Sequence, residues 1–140
     1  MDIKTIDETI SVAGQIDASD VETIAKAGFR SILCNRPDGE GDPQPSFDGV
    51  EQAAKQAGLA FTYQPVSSQG IQEQDVVDFA KCCDALPKPV LAYCRTGTRC
   101  TVLWSLSQAD KREIPEILSM ASAAGYDMSM LVNRLADRTS

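Results

Sequence analysis

The sequence of 140 residues contains no histidine. This absence excludes the Ser-His-Asp triad, the Cys-His pair of cysteine proteases, the HExxH zinc site and every histidine general base. Any acid–base chemistry in this chain therefore depends on Asp, Glu, Cys, Tyr, Lys or water.

Basic residues are also scarce, because 13 Lys and Arg stand against 20 Asp and Glu, for a net charge of −7. An acidic chain binds nucleic acid and anionic membranes poorly unless its few cations cluster. No apolar run approaches the about 18 residues of a membrane span, and residues Met1–Lys4 lack the basic end and apolar stretch of a signal peptide. We therefore expect a cytoplasmic protein that binds neither nucleic acid nor membrane, while its oligomeric state stays open.

Neither the number nor the spacing of the cysteines suggests a disulfide framework or a zinc site. The sequence has five, an odd number, and no Cys-x-x-Cys pair. Disulfide frameworks are also rare in the reducing cytosol, and structural zinc sites use closely spaced ligands. We expect no metal and no other cofactor, and we interpret Cys34, Cys82 and Cys83 as small apolar residues of the core.

The sequence does contain a regular alternation of strand-like and helix-like segments. Strands are predicted at residues 9–13, 31–35, 61–66 and 90–94, with a helix after each of them. The capping-box pattern of Ser19 and Glu22 predicts the start of the first helix. Strands that are separated by helices pair in parallel, so residues 1–140 are predicted to form a single α/β domain. Because parallel strands end at one edge of the sheet, residues 34–36, 65–67 and 94–95 should converge there.

Residues 93–101, Tyr-Cys-Arg-Thr-Gly-Thr-Arg-Cys-Thr, form the most informative segment. A buried strand ends at Cys94, and a short loop leads into a helix whose first N–H groups attract anions. The same positive end lowers the pKa of Cys94 and favours a reactive thiolate. Gly97 permits the tight turn, Arg99 can grip two oxygens of an oxyanion, and Arg95 either faces solvent or adds positive potential. The predicted anion-binding residues are Arg95, Thr96, Gly97, Thr98, Cys100 and Thr101. The alternative is a structural turn with an inert cysteine.

The arrangement Cys94-x-x-Gly97-x-Arg99 after a Pro-Val-Leu-Ala strand resembles the signature of cysteine-dependent phosphatases and rhodaneses. Over nearly the whole chain, the sequence resembles the beta-lactamase hydrolase-like, phosphatase-like domain family, which is similar in fold to dual-specificity protein tyrosine phosphatases. The resemblance implies a protein tyrosine phosphatase-like fold with strand order 1-4-2-3 and an interior signature strand. The fragments that carry it are residues 11–15, 35–38, 64–66, 89–99, 103–104 and 124–127.

Three departures from the tyrosine phosphatase pattern stand in the signature itself. Four residues separate Cys94 from Arg99, where tyrosine phosphatases carry Cys-x5-Arg, and this shorter spacing is that of rhodaneses. Tyr93 replaces the usual histidine. Cys100 stands where a Ser or Thr usually stabilises the leaving thiolate, and Thr101 is a candidate to take over that role.

Phosphatases of this group usually carry an Asp general acid on the loop after the strand that precedes the signature strand. In this sequence that loop, residues 67–72, contains no Asp or Glu. Glu73 and Asp75 follow at a helix start, where capping is the simpler role. Asp38, just past the second strand, is the candidate catalytic acid, although Pro37-Asp38-Gly39 is equally typical of a turn. Arg36 either provides a second anion contact or pairs with acids of its own loop.

The cysteines near the signature suggest a redox role. Cys100 and Cys34 are both expected to lie near Cys94, and either is a candidate partner for a reversible disulfide.

Three functions fit these residues. In a phosphatase, Cys94 attacks phosphorus, Arg99 and the loop amides stabilise the transferring group, and Asp38 or water assists the leaving group. In a rhodanese-type sulfurtransferase, Cys94 carries a persulfide. The four-residue spacing and the missing general acid favour this function. In a non-catalytic protein, the loop only binds an anion or phospho-group. We favour the phosphatase, acting on a phosphorylated or other oxyanionic small molecule or protein, because the resemblance covers the whole chain.

Overall fold

The computed structural model describes residues 1–139. Over this range, five strands form one sheet: β1 Ile3–Thr5, β2 Ile10–Ala13, β3 Ser31–Cys34, β4 Ala60–Tyr63 and β5 Val90–Tyr93. The helices are α1 Val21–Lys26, α2 Phe47–Gln56, α3 Glu73–Ala85, α4 Thr98–Ser107, α5 Ile114–Ala123 and α6 Val132–Thr139. Short 3₁₀ turns at Ala18–Asp20 and Ser129–Leu131 precede α1 and α6.

The sheet has the order β1-β2-β5-β3-β4. The strands β2, β5, β3 and β4 are parallel and are the four predicted strands, in the predicted order 1-4-2-3 with the signature strand inside. The sheet differs from the prediction by β1, an edge strand antiparallel to β2. Its three residues are too few to show an alternating pattern, so pairing with β2 decides its conformation.

Helices cover both faces of the sheet, which is why β2, β3 and β5 are buried along their whole length. One core cluster lies between the sheet and α3, α4, α5 and α6, and a second lies against α1 and α2. Alternate side chains of a strand point to opposite faces. Tyr93 therefore enters the second cluster, while the next residue, Cys94, enters the first.

The first helix begins differently from the prediction. Ser19 is not its N-cap, because Ser19 N–H instead donates to the Asp17 carboxylate at 2.9 Å. Asp17 N–H in turn donates to Asp20 at 3.0 Å, so the capping box belongs to the 3₁₀ turn before α1. Asp17 stands two residues before Ser19, and its carboxylate is a charge-assisted acceptor. It therefore takes the capping role that was predicted for Ser19.

Between residues 1 and 139, no helix combines the length and the apolar character that crossing a bilayer requires.

Candidate active site

Cys94 directly follows β5 at the carboxyl edge of the sheet, and α4 begins four residues later. Cys94 N–H donates to the Ala13 carbonyl of β2 at 3.3 Å, which extends the sheet to this residue. Its side chain is 1% exposed and lies on the face that α3 and α4 cover. The strand thus holds one sulfur at the N-terminal end of α4.

The loop between β5 and α4 is fixed from outside. Gly97 has φ +88°, and a Cβ at this position would collide with the Tyr126 hydroxyl, so glycine is the residue that fits here without strain. Tyr126 donates to the Thr96 carbonyl at 3.0 Å. On the other side, Gln15 N–H donates to the Arg95 carbonyl at 3.2 Å. These bonds turn the loop N–H groups toward Cys94.

The environment of Cys94 favours the thiolate. Gly97 N–H donates to Cys94 Sγ at 3.2 Å. A hydrogen bond from the Cys100 thiol, followed by backbone N–H groups of Cys100, Thr96 and Gly97, outweighs burial and lowers the pKa of Cys94 to about 5. These donors favour the ionised form of the sulfur at neutral pH.

Cys100 occupies the place beside this thiolate that a hydroxyl was expected to hold. Burial, together with the nearby Cys94 sulfur, keeps the pKa of Cys100 well above its ordinary value, so this thiol stays a donor. Its Sγ also lies 3.3 Å from Asn35 Oδ1, a second acceptor for the same proton. The hydroxyl of Thr101 instead donates to the Gly97 carbonyl at 2.8 Å.

Arg99 connects the three strand ends that were expected to converge. Its Nη1 donates to the carbonyls of Val66, at 2.9 Å, and Asn35, at 3.4 Å. Its Nη2 donates to Glu40 Oε1 at 2.9 Å. The guanidinium is therefore anchored by residues that follow β3 and β4, including Glu40 in the long loop after β3.

Arg36 pairs with an acid of its own loop, one of the two roles left open for it. Its Nε lies 3.2 Å from Glu40 Oε1, and its Nη1 donates to Gln15 Oε1 at 2.9 Å. Glu40 thus accepts from two arginines. Partial burial raises the pKa of Glu40, but the hydrogen bonds and charges of Arg99 and Arg36 outweigh this effect and hold the pKa below its ordinary value. The sequence pattern does not single out Glu40, since it is one of three acids in that loop.

Asp38 lies at the N-terminus of α2. Its carboxylate accepts from Phe47 N–H at 2.9 Å and from the Ser46 hydroxyl at 3.0 Å. No described contact joins Asp38 to Cys94, so its role as general acid stays a prediction. Asp75 accepts from Gln72 N–H at 2.8 Å and completes the capping box of α3, and Glu73 pairs with Arg134.

Of the two candidate redox partners, the structure brings Cys100 to Cys94. Cys34 lies in the cluster on the opposite face of the sheet, and its thiol donates to the Arg36 carbonyl at 3.4 Å. All five cysteines are free thiols.

Two open recesses adjoin the signature loop, residues 94–99, and share Ser68, Arg95 and Arg99 on their borders. The first, of about 340 Å³, contains Cys94 and has an apolar wall formed by Ile71 and Val102. The second, of about 420 Å³, is lined by Arg36 and residues 40–43 of the loop after β3. The site therefore combines a cysteine with a lowered pKa, an anchored cation and a cleft that is open to solvent.

Comparisons with known proteins find relatives over almost the whole chain. A beta-lactamase hydrolase-like protein of Xylella fastidiosa is 34% identical over 137 residues, which cover 96% of this chain and 32% of that protein. The chain thus spans about a third of the length of this curated relative.

Solved structures share the fold. A Neisseria meningitidis protein named a "putative phosphatase" is 40% identical, with a TM-score of 0.87 over 99% of both chains. Tk-PTP in its active form, at 15% identity, shows the likeness of fold alone, with a TM-score of 0.75 over 98% of this chain and 95% of that one. The family model described as "Beta-lactamase hydrolase-like protein, phosphatase-like domain" matches residues 2–111. The chain therefore belongs to the family of beta-lactamase hydrolase-like, phosphatase-like domains.

Proposed function

We propose that this chain is a cysteine-dependent phosphatase with Cys94 as its nucleophile. The observation that carries the proposal is the Cys94 sulfur, with its pKa lowered to about 5, at the N-terminal end of α4 and in the same recess as Arg99. The membership in a phosphatase-like family and the likeness to phosphatase structures support the reaction class.

The reaction has two steps. The thiolate of Cys94 attacks phosphorus, the bond from phosphorus to the leaving oxygen breaks, and that oxygen takes a proton. Water then attacks phosphorus, the S–P bond breaks, and inorganic phosphate leaves with the thiolate restored. Arg99 and the N–H groups of residues 95–100 stabilise the transferring oxygens, since preorganised donors act where charge develops.

The source of the leaving-group proton is water or Asp38. The two hydrogen bonds that Asp38 receives at the start of α2 favour its role as a cap, and we therefore assign the proton to water. Such an enzyme acts best on phosphoesters whose leaving group needs little protonation.

The test is phosphate release from p-nitrophenyl phosphate by the fully reduced protein. We expect Cys94→Ser to abolish turnover, a loss of at least about a thousandfold, and Cys82→Ser to leave it unchanged. Cys82 is a matched control because it is a half-buried thiol of α3, outside the recess of Cys94. Turnover by Cys94→Ser equal to that of the unchanged protein would contradict the proposal. In that case sulfur transfer from thiosulfate is the next assay.

A further inference from the structure

We infer that Glu40 is a positioning residue that orients Arg99 for the oxyanion. The inference rests on the proposed function, because Arg99 is the cation of that reaction. Glu40 does not line the recess that contains Cys94, so its effect passes through the guanidinium that it holds.

The first support is the set of hydrogen bonds around Arg99. Nη1 is bound to the carbonyls of Val66 and Asn35, and Nη2 to Glu40 Oε1. Two carbonyls alone leave the plane of the guanidinium free to tilt, whereas a third acceptor on the other nitrogen defines it. Among the described residues, no acceptor is bound to Arg99 Nε, which leaves that N–H for a ligand oxygen.

The second support is charge. The side chains of Arg36 and Arg99 are 8% and 10% exposed, and both approach the same carboxylate oxygen. Two mostly buried cations repel each other, and one carboxylate between them offsets this repulsion. Without Glu40, we expect Arg99 to turn away from Arg36 and to lose its alignment with the signature loop.

The third support is the loop that presents Glu40. Gln44 Oε1 accepts the N–H groups of both Glu40 and Gly41 at 3.0 Å, while its amide nitrogen donates to the Pro37 carbonyl at 2.9 Å. At Gly41 a Cβ would lie 2.8 Å from Arg36 Nη2, so glycine allows the loop to close over Arg36. These hydrogen bonds within the loop fix its shape, and the Glu40 carboxylate is thereby directed at Arg99.

The same surroundings separate Glu40 from the role of general acid. Two arginines hold it as a carboxylate, which has no proton to give to a leaving oxygen. Its contribution is therefore to geometry and not to proton transfer.

The experiment is a double-mutant cycle of Glu40→Ala and Arg99→Ala on p-nitrophenyl phosphate turnover, with the affinity for tungstate as a second readout. Tungstate affinity is measured as protection of Cys94 from alkylation.

We expect Glu40→Ala to lower kcat about tenfold and to weaken tungstate binding, with KM changed less. Glu40→Gln, which keeps an acceptor oxygen, should recover part of the loss. In the Arg99→Ala background, Glu40→Ala should have no further effect, because a positioning residue acts only through its partner.

The matched control is Glu51→Gln, which removes the carboxylate of a surface ion pair with Lys55 on α2. It should leave kcat and tungstate affinity unchanged. If Glu40→Ala does not fold, Gln44→Ala is the second variant. It removes the hydrogen bonds that hold the loop but retains the Glu40 side chain, and it should also lower kcat. Equal kcat in Glu40→Ala and the unchanged protein, additive losses in the cycle, or faster turnover after removal of Glu40 would each overturn the inference.

Failure of the proposed function can be distinguished from failure of the inference about Glu40. If the unchanged protein shows no turnover that depends on Cys94, the phosphatase proposal fails, and tungstate protection alone decides the role of Glu40. Weaker protection in Glu40→Ala than in the unchanged protein then supports positioning, and identical protection overturns it.

Discussion

The Tyr126 hydroxyl donates to the Thr96 carbonyl at 3.0 Å, 30 residues away in sequence. The same hydroxyl lies where a Cβ of residue 97 would stand. One side chain from the segment after α5 thus holds the signature loop in the shape that encloses Cys94.

The first prediction concerns Gly97→Ala. Gly97 combines φ +88° with the contact to Tyr126. We expect a loss of about 1–2 kcal/mol from the positive φ, a further loss from the clash, and a fall in kcat. Thermal unfolding and turnover of the reduced protein measure both effects. Gly58→Ala is the matched control, because Gly58 has φ +79° but nothing within 4 Å of the added methyl group. Equal losses of stability in the two variants, with kcat unchanged, would refute the bracing role of Tyr126.

The second prediction concerns pH. Because the pKa of Cys94 is lowered to about 5, its alkylation by iodoacetamide should be slow below pH 5, half-maximal near it and constant above it. The thiolate is the reacting form, so the rate rises as the proton leaves. In Cys100→Ala the thiolate loses its strongest donor, and the midpoint should move to higher pH. Peptide mapping by mass spectrometry follows Cys94 separately from Cys83, whose pKa burial raises to about 12. An unchanged midpoint in Cys100→Ala would show that the backbone N–H groups alone set the pKa.

The third prediction concerns oxidation. Mild peroxide should convert the Cys94 thiolate to a sulfenic acid, and the Cys100 sulfur should then displace water to form a Cys94–Cys100 disulfide. Inactivation should be reversible by dithiothreitol, and non-reducing peptide mapping should find the cross-link. Cys100→Ser should lose the reversibility, and Cys34→Ser should keep it, because Cys34 lies on the opposite face of the sheet. Recovery of only sulfinic or sulfonic Cys94 from the unchanged protein counts against a role for Cys100.

The fourth prediction concerns Asp38. If Asp38 only caps α2, Asp38→Ala lowers the free energy of unfolding by about 1 kcal/mol and changes kcat little, for good and poor leaving groups alike. Ser46→Ala is the matched control, since Ser46 donates to Asp38 at the same helix end but carries no acidic proton. A large loss in Asp38→Ala that is confined to alkyl phosphates would instead identify Asp38 as the general acid, because only poor leaving groups need that proton.

Local patterns were sufficient for most of the fold. Alternation and helical spacing, with turn residues between them, predict the four parallel strands and the strand–loop–helix unit at Cys94, because hydrophobic periodicity records which side of each element is buried. Those patterns do not predict β1, where only three residues pair with a neighbour. They also misplace the first helix cap, since Asp17 and Ser19 compete for one role and only the chain's path decides between them.

The residue types and spacing of the sequence by themselves determined the candidate nucleophile and the candidate cation, because Cys94, Gly97 and Arg99 stand on one short loop. Only the tertiary structure decided which groups surround them. Glu40 meets Arg99 across 59 residues, and Cys100 meets Asn35 across 65. Such contacts form only where the parallel sheet and the long loop after β3 bring distant segments together. No local sequence pattern predicts them.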